Sequence, residues 1–216
     1  NGISDLIPLQ CLNTLVQVDL HHNRIGDLSP LARLTSLTNL YAGDNLITDA
    51  GVLSNLTGLT GLSLYGNAIS NLAFVKILNQ LGALALDRNN ITDPSPLTNL
   101  TSLSSLALGG NVGLTDCTVL SNLTNLASLS LRESSIEDLS ILGGLTRLTY
   151  LDLYNVPVRN LSPLTNLASL SRLDLSWDSA VTNCAVLGGS TSLTNLYLRG
   201  IAITNDSRYA YVAVMG

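Results

Sequence analysis

The sequence predicts an α/β repeat solenoid, and three observations predict it. Leucine recurs every 22 residues, at Leu15, Leu37, Leu59, Leu81, Leu103, Leu126, Leu148, Leu170 and Leu193, with two intervals of 23. Within each unit, numbered from that leucine, positions 3 to 7 alternate polar and apolar, the period of a strand with one buried face. After the strand comes a turn residue, then a short stretch with helix-starting chemistry. Such a unit buries its apolar side only against its neighbours, so the units stack around one continuous core.

Each element of the unit follows from its residues. Positions 1, 4 and 6 are apolar, as in Leu59, Leu62 and Leu64 or Leu148, Leu151 and Leu153. Position 9 is Asn23, Asn45, Asn67, Asn89 and Asn111 in the first five units. Asparagine there turns the chain and is expected to bond backbone groups of the next coil. Position 11 is aliphatic: Ile25, Ile47, Ile69, Ile91, Ile136, Val158 and Ile203. Position 13 is often aspartate (Asp27, Asp49, Asp93, Asp138), expected to cap the short helical turn that follows. Pro30, Pro96 and Pro163 stand in that turn, and positions 17 and 20 return to leucine. The 23-residue units gain their extra residue after position 9, at "NVGLTD" and "DSAVTN".

The repeat arithmetic predicts one domain over residues 1–216, with residues 1–14 a partial unit, nine units over 15–214, then Met215 and Gly216. Neither end carries a clear polar cap, although the last unit drifts in "NDSRYAYVAVMG". The expectation is a piece of a longer repeat protein, with open coil ends as a route to self-assembly.

Composition narrows the function. Net charge is −5 and the ten basic residues are dispersed, which argues against a nucleic-acid groove. No apolar run approaches the roughly 18 residues that span a membrane. Cys117 and Cys184 occupy equivalent positions three coils apart, about 14 Å at the strand spacing, too far for a disulfide. They stand where other units carry leucine and read as small buried hydrophobes, and Cys11 has no partner in either case.

Catalytic and metal chemistry has little support. His21 and His22 are the only histidines, and neighbours on a strand point to opposite faces. Asp19 and His21 share a face, but two ligands fall short of a zinc site. No histidine is in register with a serine or cysteine nucleophile. "LGGN" at Leu108–Asn111 is not followed by a phosphate-loop lysine. The position-13 aspartates lie one per coil, too sparse for a calcium ladder. No cofactor is expected. Asn55, Asn90, Asn99, Asn122, Asn160 and Asn205 open N-x-[ST] triplets, which permit glycosylation without showing it.

The outward strand positions 3, 5, 7 and sometimes 8 are where a ligand would sit. In units three to six, positions 3 and 5 are small: Gly61, Ser63, Ala83, Ala85, Ser105, Ala107, Ser128 and Ser130. Further along, the outward residues become Arg132, Glu133, Tyr150, Asp152, Tyr154, Arg172, Asp174, Trp177, Tyr197 and Arg199. Tyr41 and Tyr65 make a smaller patch near the other end. Six of the nine aromatics fall on these positions. Tyrosine, tryptophan and arginine carry interface hot spots, since they combine contact area with a polar handle. The register sets Tyr150, Arg172 and Asn195 in one row and Asp152, Asp174 and Tyr197 in the next. Position 9 departs from asparagine in the same units, at Ser134, Val156, Asp178 and Ile201. A local rule broken beside an aromatic cluster is where function is expected. Tyrosine is also at home on a plain strand surface, so repeat drift is the competing explanation.

Units such as "LTSLTNLYAGDNLITDAGVLSN" and "LTYLDLYNVPVRNLSPLTN" resemble the 22-residue class of leucine-rich repeats. The "N-x-I-x-D-L-S-P-L" stretch from Asn23 to Leu31 is similar to the internalin-like surface proteins of bacteria. The resemblance spans essentially the whole chain. It implies a right-handed solenoid with a concave parallel β-sheet and short helical or 3-10 segments on the convex side. It also implies a protein or glycan ligand on the concave face and an extracellular or cell-surface setting. The same class includes intracellular scaffolds similar to the protein phosphatase 1 regulatory subunit, so a cytoplasmic scaffold is an alternative, as is a structural subunit of a larger assembly.

Overall fold

A computed structural model of the chain describes residues 2–181 and 183–200. Ile201, Ile203, Asn205 and the drifting last unit lie outside the described residues. The architecture is one sheet of nine parallel strands in sequence order. They are β1 (Gln17–Asp19), β2 (Asn39–Tyr41), β3 (Gly61–Ser63), β4 (Ala83–Ala85), β5 (Ser105–Ala107), β6 (Ser128–Ser130), β7 (Tyr150–Asp152), β8 (Arg172–Asp174) and β9 (Asn195–Tyr197). Each strand covers only positions 3 to 5, shorter than the alternation suggests. The return segments are 3-10 turns, from Ile7–Leu9 and Ser29–Leu31 through Ala185–Gly189. Among the described residues the helical alternative is therefore realised as 3-10 throughout, in agreement with runs too short for an α-helix to nucleate.

The core is the leucine lattice. Leu37, Leu40, Leu59, Leu81, Leu103, Leu126, Leu148 and Leu173 are 0% exposed. Full burial of each such side chain contributes roughly 1.5–3 kcal/mol before chain entropy is counted. Cys117 and Cys184 are free and buried in this core, and Cys11 is free and exposed. Burial pushes the Cys117 thiol up to about 12, so it is an inert hydrophobe.

Two polar ladders lock adjacent coils. In the first, each asparagine at position 9 reaches the preceding coil, not the next. Asn45 Oδ1 accepts the Ile25 N–H at 3.0 Å, and its Nδ2 donates to the carbonyls of Leu20 and Ala42 at 2.9 and 3.1 Å. Asn67, Asn89 and Asn111 repeat this pattern. In the second, hydroxyls at position 2 donate to the equivalent carbonyl one coil back, as Thr60 to Thr38 and Thr149 to Ala127. The position-13 residue acts one place earlier than a helix cap. Asp27 Oδ1 accepts the Ser29 N–H at 2.7 Å, and Asp49, Asp93, Asp138, Asn160 and Asn183 do likewise in their coils. These are Asx turns, and they set the angle at which the chain enters each 3-10 segment.

The asparagine ladder stops after coil five. Ser134 and Asp178 are buried, and each leaves a side-chain oxygen, Oγ and Oδ2, without a partner. The backbone partly compensates on its own. The extra residue in coil five lets Leu114 N–H bond the Asn111 carbonyl at 2.9 Å, and Val158 N–H closes on Val156 at 2.7 Å.

Candidate ligand-binding face

The residue at position 8 decides how the rim of the sheet is built. His22, Asp44, Arg88, Glu133, Asn155 and Trp177 all adopt positive φ, between 51° and 63°, and Gly66, Gly110 and Gly200 fill the same position in the remaining coils. A left-handed residue at each turn swings its side chain out beside position 7. For a non-glycine residue it costs about 1–2 kcal/mol. The strain is retained at six coils, and in four of them the side chain (His22, Asp44, Arg88 and Trp177) reaches a neighbouring coil.

That geometry gathers a cluster at the first end of the face. His21 stacks on Tyr41 at 5.8 Å and lies 5.3 Å from the Tyr65 ring. Its Nδ1 pairs with Asp19 at 2.9 Å. His22 Nδ1 lies 3.1 Å from Asp44 Oδ2, and Arg88 meets the other oxygen of Asp44 at 2.8 Å. Arg88 also covers the Tyr65 ring at 5.3 Å. A Cβ at Gly66, whose φ is +64°, would fall on Asp44 Oδ1, so glycine leaves room for this ion pair to span two coils. The histidine rings lie 6.1 Å apart, which corrects the expectation that they point to opposite faces. Position 8 has left the strand, so the strand rule does not apply. The recurring Gly, Asp and Asn at position 8 (Asp44, Gly66, Gly110, Asn155, Gly200) carried the signal for this turn.

At the far end the expected rows form. Tyr150 is in register with Arg172 and then Asn195, and Asp152 with Asp174 and then Tyr197. The Arg172 guanidinium lies between two rings, 5.2 Å from Tyr150 and 5.1 Å from Tyr197. Arg132 covers Tyr154 at 4.8 Å. Trp177 is 57% exposed at the rim, and its ring lies across Gly200, where a Cβ would meet it at 2.8 Å. Burial, then the neighbouring Asp152 charge, raises the Tyr150 phenol, and Arg172 opposes the shift.

Two of the sequence-derived candidates do other work. Asp152 is buried, accepting a bond from Ser130 Oγ at 3.1 Å and one from Tyr154 N–H at 3.1 Å. Asp174 accepts the Ser176 N–H at 2.8 Å, and Ser176 Oγ in turn accepts the Arg199 N–H at 3.2 Å. These carboxylates shape the turns that carry Tyr154, Trp177 and Arg199. Between the clusters the face is bare. A shallow cavity of about 340 Å³ lies over Gly61, Ser63, Ala83, Ala85, Ser105 and Ala107, with Tyr41 on its edge. Five strand steps, about 24 Å, separate Tyr41 from Tyr150 along the sheet. Among the described residues no three His, Cys, Asp or Glu side chains converge as metal ligands, and no helix is long and apolar enough to cross a membrane.

An open nine-stranded parallel sheet with 3-10 returns and an inter-coil asparagine ladder is the signature of one class of solenoid. The chain has the leucine-rich repeat fold. It is similar to two internalins of Listeria monocytogenes. With internalin F it shares 29% identity over 95% of this chain and 80% of that one, at a TM-score of 0.74. With internalin C2 it shares 29% identity over 88% of this chain and 83% of that one, at 0.80. The leucine-rich repeat ectodomain of the plant receptor kinase GASSHO1/SCHENGEN3 of Arabidopsis thaliana is also similar. Identity there is 25% over 92% of this chain and 26% of that one, at 0.75. No protein-family profile and no curated sequence matches the chain. The leucine-rich repeat fold thus presents its concave face as two aromatic clusters with a bare trough between them.

Proposed function

We propose that this leucine-rich repeat chain is a binding module of an extracellular or cell-surface protein, engaging a protein or glycan on its concave face. The ligand would seat against Arg132, Tyr150, Tyr154, Arg172, Trp177, Tyr197 and Arg199, with Asp152 and Asp174 as positioning residues. The observation that carries this reading is the Tyr150–Arg172–Tyr197 stack beside the Arg132–Tyr154 pair. Guanidinium groups held between rings lose little side-chain freedom on binding, and pre-ordered aromatic and arginine side chains make strong contacts. Tyr41 and Tyr65, with His21, would add a second patch for a partner long enough to cross the trough. The internalin likeness supports a surface setting, and the similar plant ectodomain was solved in complex with CASPARIAN STRIP INTEGRITY FACTOR 2.

The test is a binding screen of the immobilised chain against purified cell-surface ectodomains and a glycan array. A Tyr154→Ala/Trp177→Ala double variant runs in parallel. The expected result is a ligand retained by the parent chain and lost by the double variant. Ligands held equally by both would retire this site.

A further inference from the structure

Asp178 stands where the first five coils place asparagine, and it is 1% exposed. In those coils the amide does two jobs. Its oxygen accepts a backbone N–H, and its nitrogen donates to the position-6 carbonyls of its own coil and of the coil before, as Asn89 does to Leu86 and Leu64 at 3.0 Å each. The equivalent carbonyls at the eighth coil belong to Leu153 and Leu175. Asp178 Oδ1 instead accepts the N–H of Ala180 in its own coil at 3.0 Å, while the Val158 N–H of the coil before closes on Val156 at 2.7 Å. Its Oδ2 is buried without a hydrogen-bond partner. An ionised carboxylate offers only lone pairs there, whereas a carboxylic acid offers the missing O–H donor.

We propose that Asp178 is a proton-dependent rung: its neutral acid completes the ladder beneath Trp177, and its ionised form breaks it. The coils carrying the far aromatic cluster would then be tightest in mild acid and looser at neutral pH. Desolvation raises the acid's titration above the ordinary carboxylate range, and the N–H groups of Ala180, Val158 and Val181 oppose that shift. Among the described residues no charged side chain bears on it, and the titratable neighbour is the buried thiol of Cys184, itself pushed up by burial and by Asp178. The sign follows. The folded state binds this proton more tightly than the unfolded chain does. Its contribution is therefore complete below the unfolded carboxylate range and is lost as pH rises through the folded titration.

Thermal unfolding of the parent chain and of Asp178→Asn at pH 4 and pH 7.5 tests this. Asparagine supplies the donor at every pH. The variant should unfold about 3 °C or more above the parent at pH 7.5, with the gap closing at pH 4. Asp138→Asn, at an exposed turn, serves as a control that should show no such gain. Carbon-13 NMR of the Asp178 carboxyl gives a second readout, with a midpoint above those of Asp27 and Asp138. Equal midpoints for parent and variant at pH 7.5, a gap unchanged at pH 4, or a carboxyl titrating with the exposed turn aspartates would each overturn the proposal.

Discussion

Coils one to five and coils six to nine use the same leucine lattice for different ends. In the first group every described coil boundary is stitched by an asparagine with three or more bonds, and positions 3 and 5 of coils three to five are small. In the second the stitch is gone, two buried polar atoms lack partners, and the face carries stacked arginine, tyrosine and tryptophan. The apolar core runs through both, loosening at coil nine, where Leu193, Leu196 and Leu198 are half-buried, and the parallel register is unbroken. What differs is the polar fastening between coils. The comparison teaches that leucine burial sets the architecture, while the asparagine ladder is a separate layer of stability that this chain gives up where its surface is most elaborated.

The sharpest way to break that comparison is to remove a rung from each half. Asn89→Ala would orphan the Ile69 N–H and the carbonyls of Leu64 and Leu86, at a cost of roughly 3 kcal/mol. Ser134→Ala removes a buried hydroxyl that already lacks a partner. It should be neutral or stabilising by up to about 1 kcal/mol. Urea unfolding of the two variants measures the difference. Comparable losses would mean that Ser134 holds its coils as firmly as asparagine does.

On the surface the halves should differ in binding. Once a ligand is in hand, Trp177→Ala and Tyr154→Ala should each weaken it by about 2 kcal/mol, near 30-fold in Kd. Tyr41→Ala should cost less unless the partner crosses the trough to the first cluster. Titration calorimetry on the three variants ranks the two ends. A larger loss at Tyr41 would move the main site to the first cluster.

Much of this was legible in the sequence, because a fixed period fixes register. The rows Tyr150–Arg172–Asn195 and Asp152–Asp174–Tyr197 follow from counting, since every strand opens two residues after its leucine. Counting does not reveal which side chains are already engaged. Asp152 looks like a ligand contact in the sequence, yet Ser130 and the Tyr154 backbone occupy it. Nor does it reveal the left-handed turn, which draws His22 and Arg88 into one cluster with Tyr65. That turn depends on φ, and arginine, glutamate and tryptophan there mask the Gly, Asp and Asn pattern of the other coils.

Acid should separate two kinds of aspartate. Asp27, Asp93 and Asp138 are exposed, and the backbone N–H of the following turn holds each carboxyl below its ordinary value of 3.8. Their contribution is present above the unfolded value and is lost as pH falls through the folded one. Asp138→Ala should therefore lower stability by a constant amount above about pH 4, and the gap to the parent should close as pH falls below that value. A variant whose loss grows above pH 5 would contradict the Asx-turn assignment.

The smallest expected effect tests the rim turn itself. Glycine is ordinarily worse than alanine in ordered structure, by about 0.5–1 kcal/mol, because it loses more backbone freedom on folding. At a left-handed residue the order reverses, since alanine retains the Cβ clash and glycine does not. Glu133, at φ 53°, has Arg132 as its nearest ion-pair partner at 3.5 Å, so little else changes when it is replaced. Glu133→Gly should be more stable than Glu133→Ala by about 1 kcal/mol, a rise of roughly 2–4 °C in Tm. The same inversion at Trp177, together with loss of binding, would mean that the chain keeps a strained tryptophan at the rim for what it touches rather than for what it stabilises. If alanine outranks glycine at Glu133, the left-handed rim is not a source of strain, and the retention of six non-glycine residues there carries no functional weight.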